Sequence, residues 1–494
     1  MESPKTPASQ RPPARARRRG AGRAPGPGAH AILARRHHSA LRPTRERDAV
    51  AERRSRILRH PTRVVVAGFL VAILAGAGLL SLPVATTAPG SPPFETALFT
   101  ATSAVTVTGL VTVDTATYWT PFGQAVILGL IQLGGLGIMT SASLLLLVAA
   151  RRVGLAGRLA AQTETHTPNL GDLRRLLLTI VVFSAVSEIV VSAVIAGRLR
   201  ATGAGWGTAL WEGAFHGISA FNNAGFSLYS DNLIGFATDA WVLIPIALAV
   251  IVGGLGFPVW SDLRTRARTP ARWSLHTKLT LATTAGLLVL GTVVITAFEW
   301  GNEGTIGAHG PGGRLLGGFF AAVMPRTAGF NAIDYAQASP ETLLTTDMLM
   351  FAGGGSGGTA GGLKVATLAV LLLVVWGEIR GGEIRAFRRA IPPVAERQAL
   401  AVAVISLNLV VVATLALMAT NDLGLSEALF ECISAFATVG LSTGVTPRLD
   451  LAGQAILMPL MLIGRVGPLT LFVALVLRER RLLYEHPVER PLIG

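Results

Sequence analysis

Four short stretches decide how this chain is read: Thr106-Val107-Thr108-Gly109-Leu110, Asn223-Ala224-Gly225-Phe226, Thr327-Ala328-Gly329-Phe330 and Thr438-Val439-Gly440-Leu441. Each follows an apolar segment and is centred on a glycine. A Phe lies ten residues before each glycine (Phe99, Phe215, Phe319, Phe430), and Ser103, Ser219 and Ser434 lie six before three of them. The glycines stand 116, 104 and 111 residues apart, which makes the chain a fourfold internal repeat. Four like helix-then-turn units in an apolar protein can surround one axis and enclose an ion path.

Composition supports a membrane protein. The 494 residues are 51% hydrophobic and 14% charged, against about 25% charged in soluble domains. Apolar runs occupy Val64–Leu82, Ala125–Ala150, Leu176–Ala196, Ala240–Trp260, Leu279–Phe298, Val365–Trp376 with its upstream half, Ala399–Ala419 and Leu451–Leu477. Most are long enough to cross roughly 30 Å of hydrocarbon. The expected fold is an all-α polytopic membrane protein of four pseudo-symmetric repeats, each a helix, a short pore helix, a turn and a second helix, giving eight spans around a central pore. The expected boundaries are 61–150, 151–262, 263–382 and 383–477, with a short C-terminal segment at 478–494.

Charge sets the expected orientation. Residues 1–60 hold 16 of the 43 Lys and Arg, and a segment so basic cannot bury an apolar core, so a disordered tail is expected there. It carries no interleaved aromatics, so it suits anionic lipid and not nucleic acid. The loops 150–175, 261–278 and 377–397 hold five Lys or Arg each. The four turn-bearing segments hold five in total, against 13 Asp or Glu. The positive-inside rule puts both termini and the basic loops in the cytoplasm, and the turns toward the outside. The single Cys432 excludes an intramolecular disulfide.

Within one unit, Phe94–Ala104 is too short to cross and reads as a re-entrant helix, tolerated at membrane depth where it lines a watery cavity. Carbonyls converging on one axis need backbone angles that glycine adopts at least cost, and they can replace the water around a cation. Glycines recur about 25 residues further on, in Gly134-Gly135-Leu136-Gly137, Gly253-Gly254-Leu255-Gly256, Gly353–Gly358 and Gly464-Arg465-Val466-Gly467. Close helix packing accounts for the first two. The third set, in Phe351–Lys364, is too rich in glycine to stay helical. It breaks its helix at mid-depth and is a candidate gate, comprising Gly353, Gly354, Gly355, Ser356, Gly357 and Gly358, with Ser356 and Lys364 within reach of the pore. Arg465, inside an apolar run, either belongs to that gate or forms a structural ion pair across a subunit interface.

These residues resemble the Trk/Ktr/HKT superfamily of potassium transporters, over about residues 60–477. The signatures are the four turns, Gln132-Leu133-Gly134-Gly135-Leu136-Gly137, the loop ending in Gly361-Gly362-Leu363-Lys364, and Gly464-Arg465-Val466-Gly467-Pro468-Leu469-Thr470. Eight spans without an added helix pair look most like the Ktr-type membrane subunit. The resemblance implies a homodimer in the plasma membrane and a K⁺ filter at Thr106, Val107, Thr108, Gly109, Asn223, Ala224, Gly225, Thr327, Ala328, Gly329, Thr438, Val439 and Gly440. It also implies a cytosolic ring of nucleotide-binding regulatory subunits. No cofactor is expected in this chain; K⁺, held by filter carbonyls alone, is the transported ion, and a dependence on Na⁺ is left open. Gly358 stands where Ser is frequent in the family.

Two other classes compete. Gly354-Gly355-Ser356-Gly357 matches the motif of intramembrane serine proteases, but the activating base is missing, because His486 is the one His that follows. A proton-coupled carrier would need intramembrane acid relays and inverted repeats. Glu188 is the main acid within a span, and pairing with a polar neighbour explains it. No enzyme is expected.

Overall fold

The computed structural model describes residues 61–152, 170–382 and 384–467; the basic tail expected at 1–60 and the C-terminal segment beyond 467 lie outside them. Helices account for nearly all of the regular secondary structure among the described residues. The first unit comprises α1 (Pro61–Leu80), the short buried α2 (Phe94–Thr106), a single turn α3 (Thr115–Tyr118) and α4 (Pro121–Arg152). The second comprises α5 (Leu170–Ala201), α6 (Trp206–Phe221), α7 (Ala240–Leu255) and α8 (Phe257–Arg266). The third holds α9 (Leu275–Glu299), α10 (Pro311–Val323), α11 (Pro340–Phe351) and α12 (Val365–Arg380). A two-stranded hairpin, β1 (Arg385–Ala386) and β2 (Arg389–Ala390), leads into α13 (Pro393–Thr420), α14 (Leu425–Ala437) and α15 (Leu451–Val466).

Side-chain oxygens start several of these helices. Asp239, Ser274, Ser339 and Asp450 accept from backbone amides in the first turns of α7, α9, α11 and α15, satisfying donors that the helix itself cannot.

Burial is distributed as a bilayer requires. The long helices α1, α5, α9 and α13 turn most of their apolar surface outward, with Val71 68%, Ile189 66%, Val289 66% and Leu415 62% exposed. The short helices α2, α6, α10 and α14 fill the interior. Apolar surface outside and polar backbone ends inside describe a chain whose solvent is lipid.

Among the described residues, four single helices are long and apolar enough to cross a membrane, or five when the bent pair α7 and α8 is one span. Eight were expected. In the second, third and fourth units the second segment departs from a single long span, because it is bent, interrupted or short; α4 is one continuous helix of 32 residues. The axis bends by 91° between α7 and α8, the chain is non-helical between α11 and α12, and α15 ends at Gly467 with φ +94°. The expectation that packing alone explains Gly253–Gly256 is therefore corrected: Gly256, at φ +92°, is itself a break.

Candidate functional site

Each short helix ends in a turn that no ordinary side chain favours. Two residues per turn have positive φ: Val107 and Gly109, Asn223 and Gly225, Thr327 and Gly329, Thr438 and Gly440. Glycine takes such angles at little cost, but β-branched Val107, Thr327 and Thr438 do so under strain of order 1–3 kcal/mol each. Strain of that size, repeated at one position, needs surroundings that hold it. The serines six residues before the glycine supply part of the hold. Ser103 Oγ accepts from the Gly109 amide at 3.0 Å, Ser434 Oγ accepts from Gly440 at 3.1 Å, and Ser219 Oγ donates to Phe226 O at 2.9 Å.

The four turns close into a ring. A Cβ added to Gly109 would overlap the Ala224 carbonyl oxygen, and one on Gly225 would lie 2.6 Å from the Ala328 oxygen. One on Gly329 would overlap the Val439 oxygen, and one on Gly440 would overlap the Thr108 oxygen. The first turn thus abuts the second, the second the third, the third the fourth, and the fourth the first. At each junction only a residue without a side chain leaves room for the neighbouring carbonyl.

Register refines the expected residue set. Thr106 is the last residue of α2, its hydroxyl 2.8 Å from Thr108 Oγ1, so the turn proper begins at Val107. The third unit departs from the other three. Its helix stops at Val323, because Pro325 has no amide to continue the ladder, and Phe320 is fully buried while Phe319, ten residues before the glycine, is only partly so.

The second segments pack close behind the ring. A Cβ on Gly134, Gly253 or Gly464 would overlap the carbonyl oxygen of Val105, Phe221 or Phe436 respectively, so glycine lets α4, α7 and α15 touch the ends of α2, α6 and α14. The glycine-rich loop lies across the α7 break. The Gly355 and Thr359 amides donate to Gly254 O (2.8 Å) and Gly253 O (3.2 Å), and Phe257 donates to Gly357 O (3.2 Å). These bonds occupy carbonyls that a helix end leaves free. On its far side the loop meets the turns themselves. Thr359 Oγ1 donates to Asn223 Oδ1 at 2.8 Å, and a Cβ on Gly361 would overlap Thr438 Oγ1.

Both expected cations touch this loop. Lys364 folds its amine back onto Ala360 O (2.6 Å) and Gly361 O (3.2 Å) instead of extending away from the loop. Arg465, 2% exposed, donates to Thr359 O and, at 3.2 Å, to Gly134 O. Carbonyl oxygens, and not the carboxylate of an ion pair, receive these bonds. Ser356 is half-buried in the loop.

Residues 47–481 match the family model described as "TrkH: Cation transport protein". The chain belongs to the TrkH family. Among curated relatives, it is 43% identical to the Ktr system potassium uptake protein B of Bacillus subtilis, over 83% of this chain and 92% of that protein. It is 37% identical to the potassium/sodium uptake protein NtpJ of Enterococcus hirae, over 90% and 100%. The crystal structure of the potassium transporter TrkH from Vibrio parahaemolyticus shares the fold, with a TM-score of 0.69, 18% identity and 84% of each chain covered. A TrkH-family chain is a multi-pass membrane transport protein and not an enzyme, which disposes of the protease motif around Ser356.

Other buried polar groups of this TrkH-family chain are mostly satisfied by neighbours. Glu188 accepts from Gln132 Nε2 at 3.0 Å and from Asn222 Nδ2 at 3.1 Å, joining α5, α4 and the end of α6. His216 sits between Glu212 O and Ser227 Oγ and stacks on Tyr229. Outside the ring, Asp114 accepts from Ser230 Oγ, the Ala116 amide and Thr117 Oγ1, tying the first loop to the second. Partial burial opposes its charge, but these bonds outweigh that and hold the carboxyl below its ordinary range. Arg326 is among those left partly unpaired. It is 6% exposed, reaches Thr284 Oγ1 at 3.3 Å through Nη2, and leaves Nη1 without a partner among the described residues. The sequence carried its signal, a charge directly before Thr327 in a re-entrant segment, and reading by turn motif alone passed over it.

Proposed function

We propose that this chain takes up potassium ions through a pore on the axis of the ring, with backbone carbonyls of the four turns replacing the ion's water. The ring closure carries this reading: four strained turns, each abutting the next, are what a single cation site of carbonyl oxygens requires. The helix ends support it, since α2, α6, α10 and α14 all direct their C-terminal partial negative charge toward the ring. Relatives described as potassium uptake and potassium/sodium uptake proteins support K⁺ as the ion. All four turns carry glycine, which in the family favours K⁺ over Na⁺.

In the same proposal, the bent and interrupted second segments complete eight crossings. The loop 351–364, held by Arg465, is the gate. The chain works as a homodimer in the plasma membrane with both termini in the cytoplasm, and a cytosolic nucleotide-binding ring sets the gate. A dependence of uptake on Na⁺ belongs to this proposal too. Expression in a bacterium deficient in potassium uptake tests it. Growth at limiting K⁺ should be restored, and more fully with a co-expressed cytosolic subunit; no growth from a correctly inserted chain in either case would reject it.

A further inference from the structure

Arg326 lies where the ring, the α7 break and the glycine-rich loop meet. The residues at the same place in the other units are Thr106, Asn222 and Ala437, so the charge is peculiar to the third turn. Its Nη2 is anchored on Thr284 of α9, its Nη1 has no acceptor among the described residues, and the side chain lines a small cavity with Gly254 and Leu255 of α7 and Gly354 of the loop. The cavity has room for about one water, which is also the room taken by one carbonyl oxygen. A buried guanidinium nitrogen without an acceptor is costly, and a buried donor left so in one state favours any other state that supplies the acceptor.

The loop can supply it. Gly353, Gly357 and Gly362 have positive φ, and the loop has few side chains to resist rearrangement. In this structure Arg465 holds it from one side, at Thr359 O. Gly354 already borders the cavity that Arg326 lines.

We propose that Arg326 is a positioning residue for transport: when the loop withdraws from the pore, a carbonyl of its Gly353–Gly355 stretch enters this cavity, accepts from Arg326 Nη1, and so keeps the pore open. Arg465 and Arg326 then hold the same loop in two alternative places. This rests on the reading of the loop as a gate.

The test is K⁺ flux, per folded protein, for Arg326→Gln in two backgrounds: the intact chain, and a chain lacking Gly353–Gly358. In the intact chain the substitution should lower flux about tenfold, the factor set by one charge-assisted hydrogen bond. In the deletion background it should change nothing, because there is no loop to hold. An equal loss in both backgrounds would mean that Arg326 acts on the ring or on folding, and would overturn the proposal. No loss in either would overturn it as well. If the deletion itself fails to raise flux, the gate reading fails first, a distinct outcome. Should Arg326→Gln not fold, Arg326→Lys keeps a shorter donor, and a smaller loss confined to the intact chain is expected.

Discussion

Arg465 donates to the carbonyl oxygen of Thr359, so the last turn of α15 is tied to a loop that begins after α11, more than a hundred residues earlier in the chain. Its second bond, to Gly134 O on α4, spans the first and fourth units. A guanidinium bonded to carbonyls has no carboxylate beside it, among the described residues, to balance its charge; in the proposed mechanism it clamps the loop and repels cations.

Arg465→Ala should therefore raise K⁺ leak. Each charge-assisted bond contributes about 1.5–3 kcal/mol, so losing the one to Thr359 O shifts the closed-to-open balance by about tenfold or more. Passive rubidium flux into vesicles reads this directly. Flux equal to the parent chain would assign Arg465 to structure alone.

Gly440→Ser should weaken discrimination between K⁺ and Na⁺. The residue has φ +94°, and its new Cβ would overlap Thr108 O, forcing one junction of the ring apart. A loss of about 1.4 kcal/mol of discrimination is a tenfold fall in the permeability ratio. Gly329→Ser, against Val439 O, should behave alike. Measured ratios unchanged in both would remove the turns from the selectivity site.

Ser434→Ala should have a milder effect of the same kind. It leaves the Gly440 amide without its acceptor, at a cost of about 1–3 kcal/mol. The third turn, where Val323 stands at this position, shows that a turn can form without the serine, so folding should survive. A selectivity ratio identical to the parent's would show that the serine does not hold the ring's geometry.

Two alanine substitutions separate close packing from helix propensity. Gly464→Ala places a Cβ on Phe436 O and should destabilise the protein by about 1–3 kcal/mol. Gly129→Ala meets open space and should be neutral or slightly stabilising. Thermal unfolding in detergent compares them, and similar melting temperatures would contradict the packing.

The turns and the long helices were legible in the sequence because both are repeated signals: glycines in register, and apolar runs of membrane length. The breaks at Gly256 and Gly467 were not, since one glycine in an apolar run reads equally well as packing or as a kink. The direction of positive φ at Val107, Thr327 and Thr438 was hidden as well, because β-branched residues give no local sign of a left-handed turn and adopt it only when the ring compels them. Arg465 was conspicuous by its charge. Its acceptor, a backbone oxygen more than a hundred residues away, has no residue type that a motif could reveal.

The central claim is that carbonyls of four adjoining turns select K⁺, and competition in proteoliposomes tests it most directly. Rubidium uptake by the purified chain should be abolished by excess K⁺ and left nearly intact by the same excess of Na⁺. Equal inhibition by the two ions would contradict the account.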